Sequence, residues 1–124
     1  MSKIISTTDA PSAIGPYSQA VVSGGLVYTS GQIALDPATG EIVGDTIEKQ
    51  TEQVMKNLSA ILSAAGSEFS KAVKTTCFLA DMGDFSAFND IYGKYFTGKP
   101  ARSCVAVKTR PKNVLCEVEV IAEV

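Results

Sequence analysis

The sequence contains no histidine and no tryptophan. The commonest general base at neutral pH is therefore missing, and with it the commonest metal ligand. Cysteine occurs three times, at Cys77, Cys104 and Cys116, and never as a CxxC pair. Zinc-binding and thioredoxin-like readings are left without support, and no metal is expected. All three cysteines lie in apolar runs, where free thiols behave as small hydrophobes and fit a reducing compartment. Positive charge is not in excess. Lys and Arg number 11 against 13 Asp and Glu, a net charge of -2. An acidic chain of this kind offers no electrostatic reason to bind nucleic acid. No apolar run is long enough to span a membrane. Met1–Ile5 carries no secretory h-region. A soluble, cytoplasmic protein is expected. Repeats, charge blocks and low-complexity tracts are absent as well.

What is present reads as one globular domain over residues 1–124. The chain is 124 residues long, 45% hydrophobic and 19% charged, which suits a single packed core. Lys3–Ser6 can form a short strand, and Thr7–Pro16 reads as loop. Ser18–Val22 and Leu26–Ile33 read as a hairpin about Ser23-Gly24-Gly25. Asp36–Gly40 is a turn, and Glu41–Val43 a short edge strand. From Thr46 the period becomes helical. Ile47, Val54, Leu58, Ile61, Leu62 and Ala65 share a face, with Asp45 and Glu48 as a cap and box and Gly66 as the stop. Ala72–Ala80 is a core strand. Phe85, Phe88, Tyr92 and Phe96 stripe a second helix over Phe85–Phe96. Ala101–Lys108 and Val114–Glu123 are the last two strands. The order predicts an α+β fold, a mixed sheet with two helices on one face. The other face, on which Val105, Val107 and Val118 or their neighbours are expected, would then stand open, a sign of self-association.

Two residues interrupt this pattern. Arg102 opens one apolar run, and Glu117 breaks another. Arginine is a planar, permanently charged fork that matches a carboxylate with two parallel hydrogen bonds. A partly desolvated glutamate can hold a pKa high enough to move a proton. The pair suggests a site that grips a small acid and handles water beside it. Arg102 and Glu117 could equally pair with each other or with solvent. If their strands form a hairpin, they share a face only when the connection holds an even number of residues. Tyr17 follows Gly15-Pro16, which fixes the backbone ahead of its phenol. Such a tyrosine meets a ligand or anchors a loop. Ser30-Gly31 brings backbone and hydroxyl close to a neighbour, or marks a bulge. Asn89 falls within an aromatic helix stripe, where it ties down backbone or lines a pocket.

Ala13-Ile14-Gly15-Pro16-Tyr17-Ser18-Gln19-Ala20, Thr29-Ser30-Gly31-Gln32-Ile33, Pro100-Ala101-Arg102-Ser103 and Cys116-Glu117-Val118-Glu119 occur in order. Carrying these segments, the chain resembles the RidA family, also called the YjgF/YER057c/UK114 family, over essentially its whole length. The resemblance implies a chorismate-mutase-like α+β fold, assembled as a homotrimer with clefts between subunits. It implies an enamine/imine deaminase that hydrolyses 2-imino acids, such as 2-iminobutanoate and 2-iminopropanoate, to 2-keto acids and ammonia without a cofactor. On that basis Arg102 binds the substrate carboxylate, and Glu117 positions or activates water. Tyr17, Ser30, Gly31, Asn89 and Cys104 line the cleft, Cys104 mainly through its backbone. Two departures stand out: the short loop Thr97–Pro100, and Arg110 before Pro111, where an apolar residue is common in the family. Alternative readings are an RNA-cleaving translation inhibitor and a non-catalytic ligand-binding or holdase-like trimer. The acidic pI and absent histidine count against the first of these.

Overall fold

Apolar residues alternate along the strands of this chain, so one sheet face must be covered. In the computed structural model, which describes residues 2–124, that cover is two helices. The strands are β1 (Lys3–Ile5), β2 (Ala20–Ser23), β3 (Leu26–Thr29), β4 (Ala72–Leu79), β5 (Ala101–Ala106) and β6 (Cys116–Glu123). The helices are α1 (Ile47–Ala64) and α2 (Phe85–Tyr95). The six strands form one mixed sheet in the order β1-β2-β3-β6-β4-β5. Only β4 and β5 run parallel, joined through α2. The α+β expectation, with two helices on one face, holds.

The β2–β3 hairpin turns at Gly24 and Gly25, both at positive φ, as a tight hairpin turn requires. Helix α1 begins one residue later than its sequence signals suggest. Thr46, not Asp45, is the cap, its side chain accepting from the Lys49 backbone N–H. At the other end Gly66 sits at φ 78°, and Ser67 and Gly66 donate to Leu62 and Ser63. This is the left-handed glycine stop that the sequence predicts. Val54, Leu58, Ile61 and Leu62 of α1 are buried against Val27, Cys77, Leu79, Val118 and Val120 of the sheet. Phe88, Tyr92 and Phe96 complete this core. Glu41–Val43 forms no named strand, since only an isolated bridge joins Leu35 to Ile42.

Residues in register across a sheet share a face. Ile4, Val21, Tyr28 and Ile121 are in register with one another, as are Val105, Phe78 and Glu117. These residues occupy the face away from the helices. Ile4, Tyr28 and Val105 are exposed there. Val118, expected on the open face, is instead fully buried beneath the helices. It is one residue out of phase with Glu117, so both cannot face the same way.

Candidate functional site

The β3–β6 ladder breaks beside the hairpin. Tyr28 pairs with Ile121, whereas Gln32 bridges Val118. Residues 28–32 therefore carry one residue more than the facing stretch, which is a β-bulge. Within it the Thr29 hydroxyl accepts from the Val120 backbone N–H at 3.0 Å. Ser30 is turned towards the preceding strand, where its hydroxyl donates to the Ser18 carbonyl at 2.6 Å. Gly31 lies directly against Glu117. A Cβ at this position would collide with the Glu117 carboxylate. The bulge and the glycine together make the room that Glu117 occupies.

That carboxylate faces a cavity of about 750 Å³ whose lining includes Tyr17, Ser30, Gly31, Ile33, Lys112 and Glu119. Burial pushes the Glu117 pKa upward, and the neighbouring Glu119 adds to the shift. A carboxylate held in this way is a stronger base near neutral pH than a solvated one. Tyr17 is exposed at the cavity wall. Its backbone N–H donates to Gly15, which sits at φ 129°, and its phenol oxygen accepts from the Ile14 N–H at 3.4 Å.

Sequence reasoning missed Gln19, which organises this wall. Its buried side-chain oxygen accepts from Thr7 N–H, and its amide nitrogen donates to the carbonyls of Thr7, Ala10 and Pro11. The loop before Tyr17 is thus tied to β2 by one side chain. Gln19 stands within the Ala13–Ala20 segment that carries the family resemblance, but a polar residue before the apolar Ala20–Val22 does not by itself separate an inward amide from a solvated one.

Arg102 and Glu117 do not share a face. β5 pairs with β4, and β4 lies between β5 and β6, so the hairpin considered from sequence does not form. Arg102 is in register with Thr75, and Glu117 with Phe78. Thr75 and Phe78 are three apart on one strand and point to opposite faces. Arg102 accordingly lies on the helix side. Its guanidinium carbon stands 4.7 Å from the Tyr92 ring centre and 5.3 Å from that of Phe85, and Nη1 donates to Asn89 Oδ1 at 2.7 Å. Tyr92 is itself fixed by a buried 2.7 Å hydrogen bond with Thr75. The fork is thereby held flat at the sheet edge, where it lines a separate cleft with Asn89, Tyr92 and Lys99.

Cys104 follows on the same face as Arg102, half-buried and in register with Cys77. Burial raises the Cys104 thiol pKa, takes Cys77 up to about 12 and takes Cys116 to about 11. Such thiols are mostly protonated at neutral pH and make poor nucleophiles. The proposed site residues therefore fall into two groups: Arg102, Asn89 and Cys104 on one side, and Tyr17, Ser30, Gly31 and Glu117 on the other. Among the described residues no cluster of His, Cys, Asp or Glu has the makings of a metal site, and no helix is long and apolar enough to cross a membrane.

Fold and site together define a class: a small α+β protein with a carboxylate cradled at a sheet bulge and an arginine fork at the sheet edge. The chain belongs to the YjgF/RidA family, since residues 7–124 match the family model described as Endoribonuclease L-PSP. It is 63% identical to a Lactococcus lactis protein described as a candidate regulator, AldR, over 98% of both chains. It is 50% identical to the mouse protein named 2-iminobutanoate/2-iminopropanoate deaminase, over 97% of this chain and 90% of that one. Its structure matches that of Escherichia coli TdcF with bound serine at a TM-score of 0.92 and 44% identity, over 98% of both chains.

Proposed function

We propose that this protein is an enamine/imine deaminase that hydrolyses 2-imino acids to 2-keto acids and ammonia, working as a homotrimer. The observation that carries the proposal is the division of the site. One chain presents an oriented carboxylate-binding fork at the edge of its sheet, and a raised-pKa carboxylate on the opposite face. Neither half suffices for an imino acid. In the proposed trimer the open apolar face is covered by a second copy, and Arg102, at the sheet edge of one subunit, completes the Glu117 cavity of its neighbour. The names of the mouse relative and of the serine-bound TdcF structure support a small amino-acid-like ligand in such a cleft.

The chemistry follows from the groups. Arg102 holds the substrate carboxylate by charge-assisted hydrogen bonds. Glu117 accepts a proton from a water whose oxygen forms the new bond to the imine carbon, giving a carbinolamine. The imine nitrogen is protonated as the C–O bond forms. The amine nitrogen then takes the proton held by Glu117 and leaves as ammonia when the C–N bond breaks, while the carbinolamine hydroxyl gives its proton back to Glu117 and closes the C=O of the keto acid. An imine is already activated, so positioning and one base suffice without a cofactor. Tyr17, Ser30 and Gly31 shape the water side, and Asn89 orients Arg102. Cys104 contributes backbone and packing. The ribonuclease reading is disfavoured because a phosphodiester chain would meet both Glu117 and Glu119 in this cavity.

The test is direct. 2-Iminobutanoate is generated enzymatically from threonine, and its decay is followed with and without the protein. Acceleration is expected. Decay at the uncatalysed rate over a range of protein concentrations would sink the deaminase reading and favour a non-catalytic binding trimer.

A further inference from the structure

We infer that Arg110 is a positioning residue that sets substrate side-chain selectivity, by holding Pro111 and Lys112 as one wall of the Glu117 cavity. The inference rests on the deaminase reading for its substrate class. Its geometric basis is independent of that reading.

Arg110 folds back on its own loop. Its Nε donates to the Val114 carbonyl at 2.7 Å, and Nη1 donates to Val107 and Lys108 at 3.2 and 3.3 Å. One guanidinium thus bridges the end of the β5 side to the start of the β6 side. The backbone between is in an unfavourable conformation. Lys112 and Asn113 both adopt positive φ, 57° and 55°, a region that Asn tolerates but that is unfavourable for Lys. A lysine in this conformation persists where surrounding contacts over-determine it, and such strain gathers at ligand sites. The loop is also anchored to α1, because Leu115 N–H donates to Gln50 Oε1 at 2.9 Å.

The segment held in this way is not idle surface. Pro111 and Lys112 line the same cavity as Glu117, Gly31 and Ile33. In the proposed shared cleft, with the acid group of a substrate at Arg102 of the partner subunit and its reacting carbon at Glu117, the side chain extends into this cavity. A fixed wall there limits side-chain length. An apolar residue at position 110 could not make the three bonds to carbonyls, so the wall would be free to shift.

The experiment compares kcat/KM on 2-iminobutanoate with that on the branched imino acid formed from leucine by an amino-acid oxidase. Wild type, Arg110→Met and Lys112→Gly are measured, together with binding of the two corresponding 2-keto acids by calorimetry. Lys112→Gly relieves the positive φ and so keeps the fold, while shortening the wall. The wild type is expected to favour the short substrate. In both variants the short-to-long ratio is expected to fall about tenfold, the scale of one misfitted methylene. A purely structural arginine would lower both substrates together and leave the ratio fixed. An unchanged ratio in both variants, in turnover and in binding, overturns the inference. If the wild type binds keto acids with this preference but shows no turnover, the deaminase reading fails and the wall is still read from binding. If it binds neither acid, the wall proposal falls as well.

Discussion

At the scale of single residues, the site depends on what each side chain is denied. Gly31 has no Cβ because the Glu117 carboxylate occupies that space. Gly31→Ala is expected to displace Glu117 and lower kcat by about tenfold or more while the protein still folds, since misplacing a catalytic group by about an ångström has this scale. Circular dichroism beside the deaminase assay checks both halves. Unchanged kcat would show that Glu117 has freedom to move. Arg102→Lys keeps the charge but loses the planar fork and the match to Asn89. A hydrogen bond to a charged group is worth about 1.5–3 kcal/mol, so kcat/KM should fall by about ten- to 150-fold. Near-wild-type kcat/KM would remove the carboxylate clamp. Glu117 also predicts a pH effect on stability. Burial raises its folded-state pKa above the ordinary value of 4.5. The folded state therefore binds this proton more tightly than the unfolded one. The resulting stabilisation is full below 4.5 and is lost as pH rises through the raised value. Glu117→Gln should consequently melt higher than wild type at neutral pH, and the gap should close in acid. A gap that widens in acid would contradict the sign.

At the scale of elements, periodicity made most of the fold legible. The heptad-like stripe of α1, the aromatic stripe of α2 and the alternation in β4 each lie where the sequence places them, because each is fixed by local burial. What sequence could not supply was strand order. Both Arg102 and Glu117 were visible as interruptions of apolar runs, yet whether they meet depends on β4 entering between β5 and β6. That insertion is a long-range pairing, and no local pattern encodes it. The cap of α1 moved from Asp45 to Thr46 for a smaller reason: either side chain can cap, and the backbone N–H of Lys49 lies within reach of Thr46. The bulge at Ser30–Gly31 was an open alternative to a ligand contact, and the structure shows that one residue stretch can be both bulge and cavity wall. Gln19 gives the element-scale prediction. Its amide alone holds Thr7, Ala10 and Pro11 to β2. Gln19→Leu leaves those groups without their partner, at a cost of about 1–3 kcal/mol for the buried ones. Urea denaturation should register the loss, and amide exchange should rise across residues 7–17. Exchange that stays slow there would mean another contact holds the loop.

At the scale of the whole molecule, the two faces of the sheet explain each other. One face is closed by α1 and α2. The other exposes Tyr28 and Val105 around a desolvated carboxylate, a surface that a monomer would leave wet. An isolated chain keeps its arginine fork and its carboxylate on opposite faces, so the proposed cleft draws on a second copy. In the proposed closed ring each cleft would take Arg102 from one subunit and Glu117 from the next. This gives a prediction that distinguishes a shared cleft from any site contained in one chain. Arg102→Ala and Glu117→Ala should each be inactive alone. When the two are unfolded together in equal amounts and refolded, about a quarter of the clefts in a random mixture join an intact Arg102 to an intact Glu117. Deaminase activity should return to about that fraction of wild type. A site built within a single chain could recover nothing, because every chain in the mixture lacks one of the two groups. Light scattering on the mixture confirms that oligomers re-formed, so an inactive but assembled mixture would rule out the shared cleft.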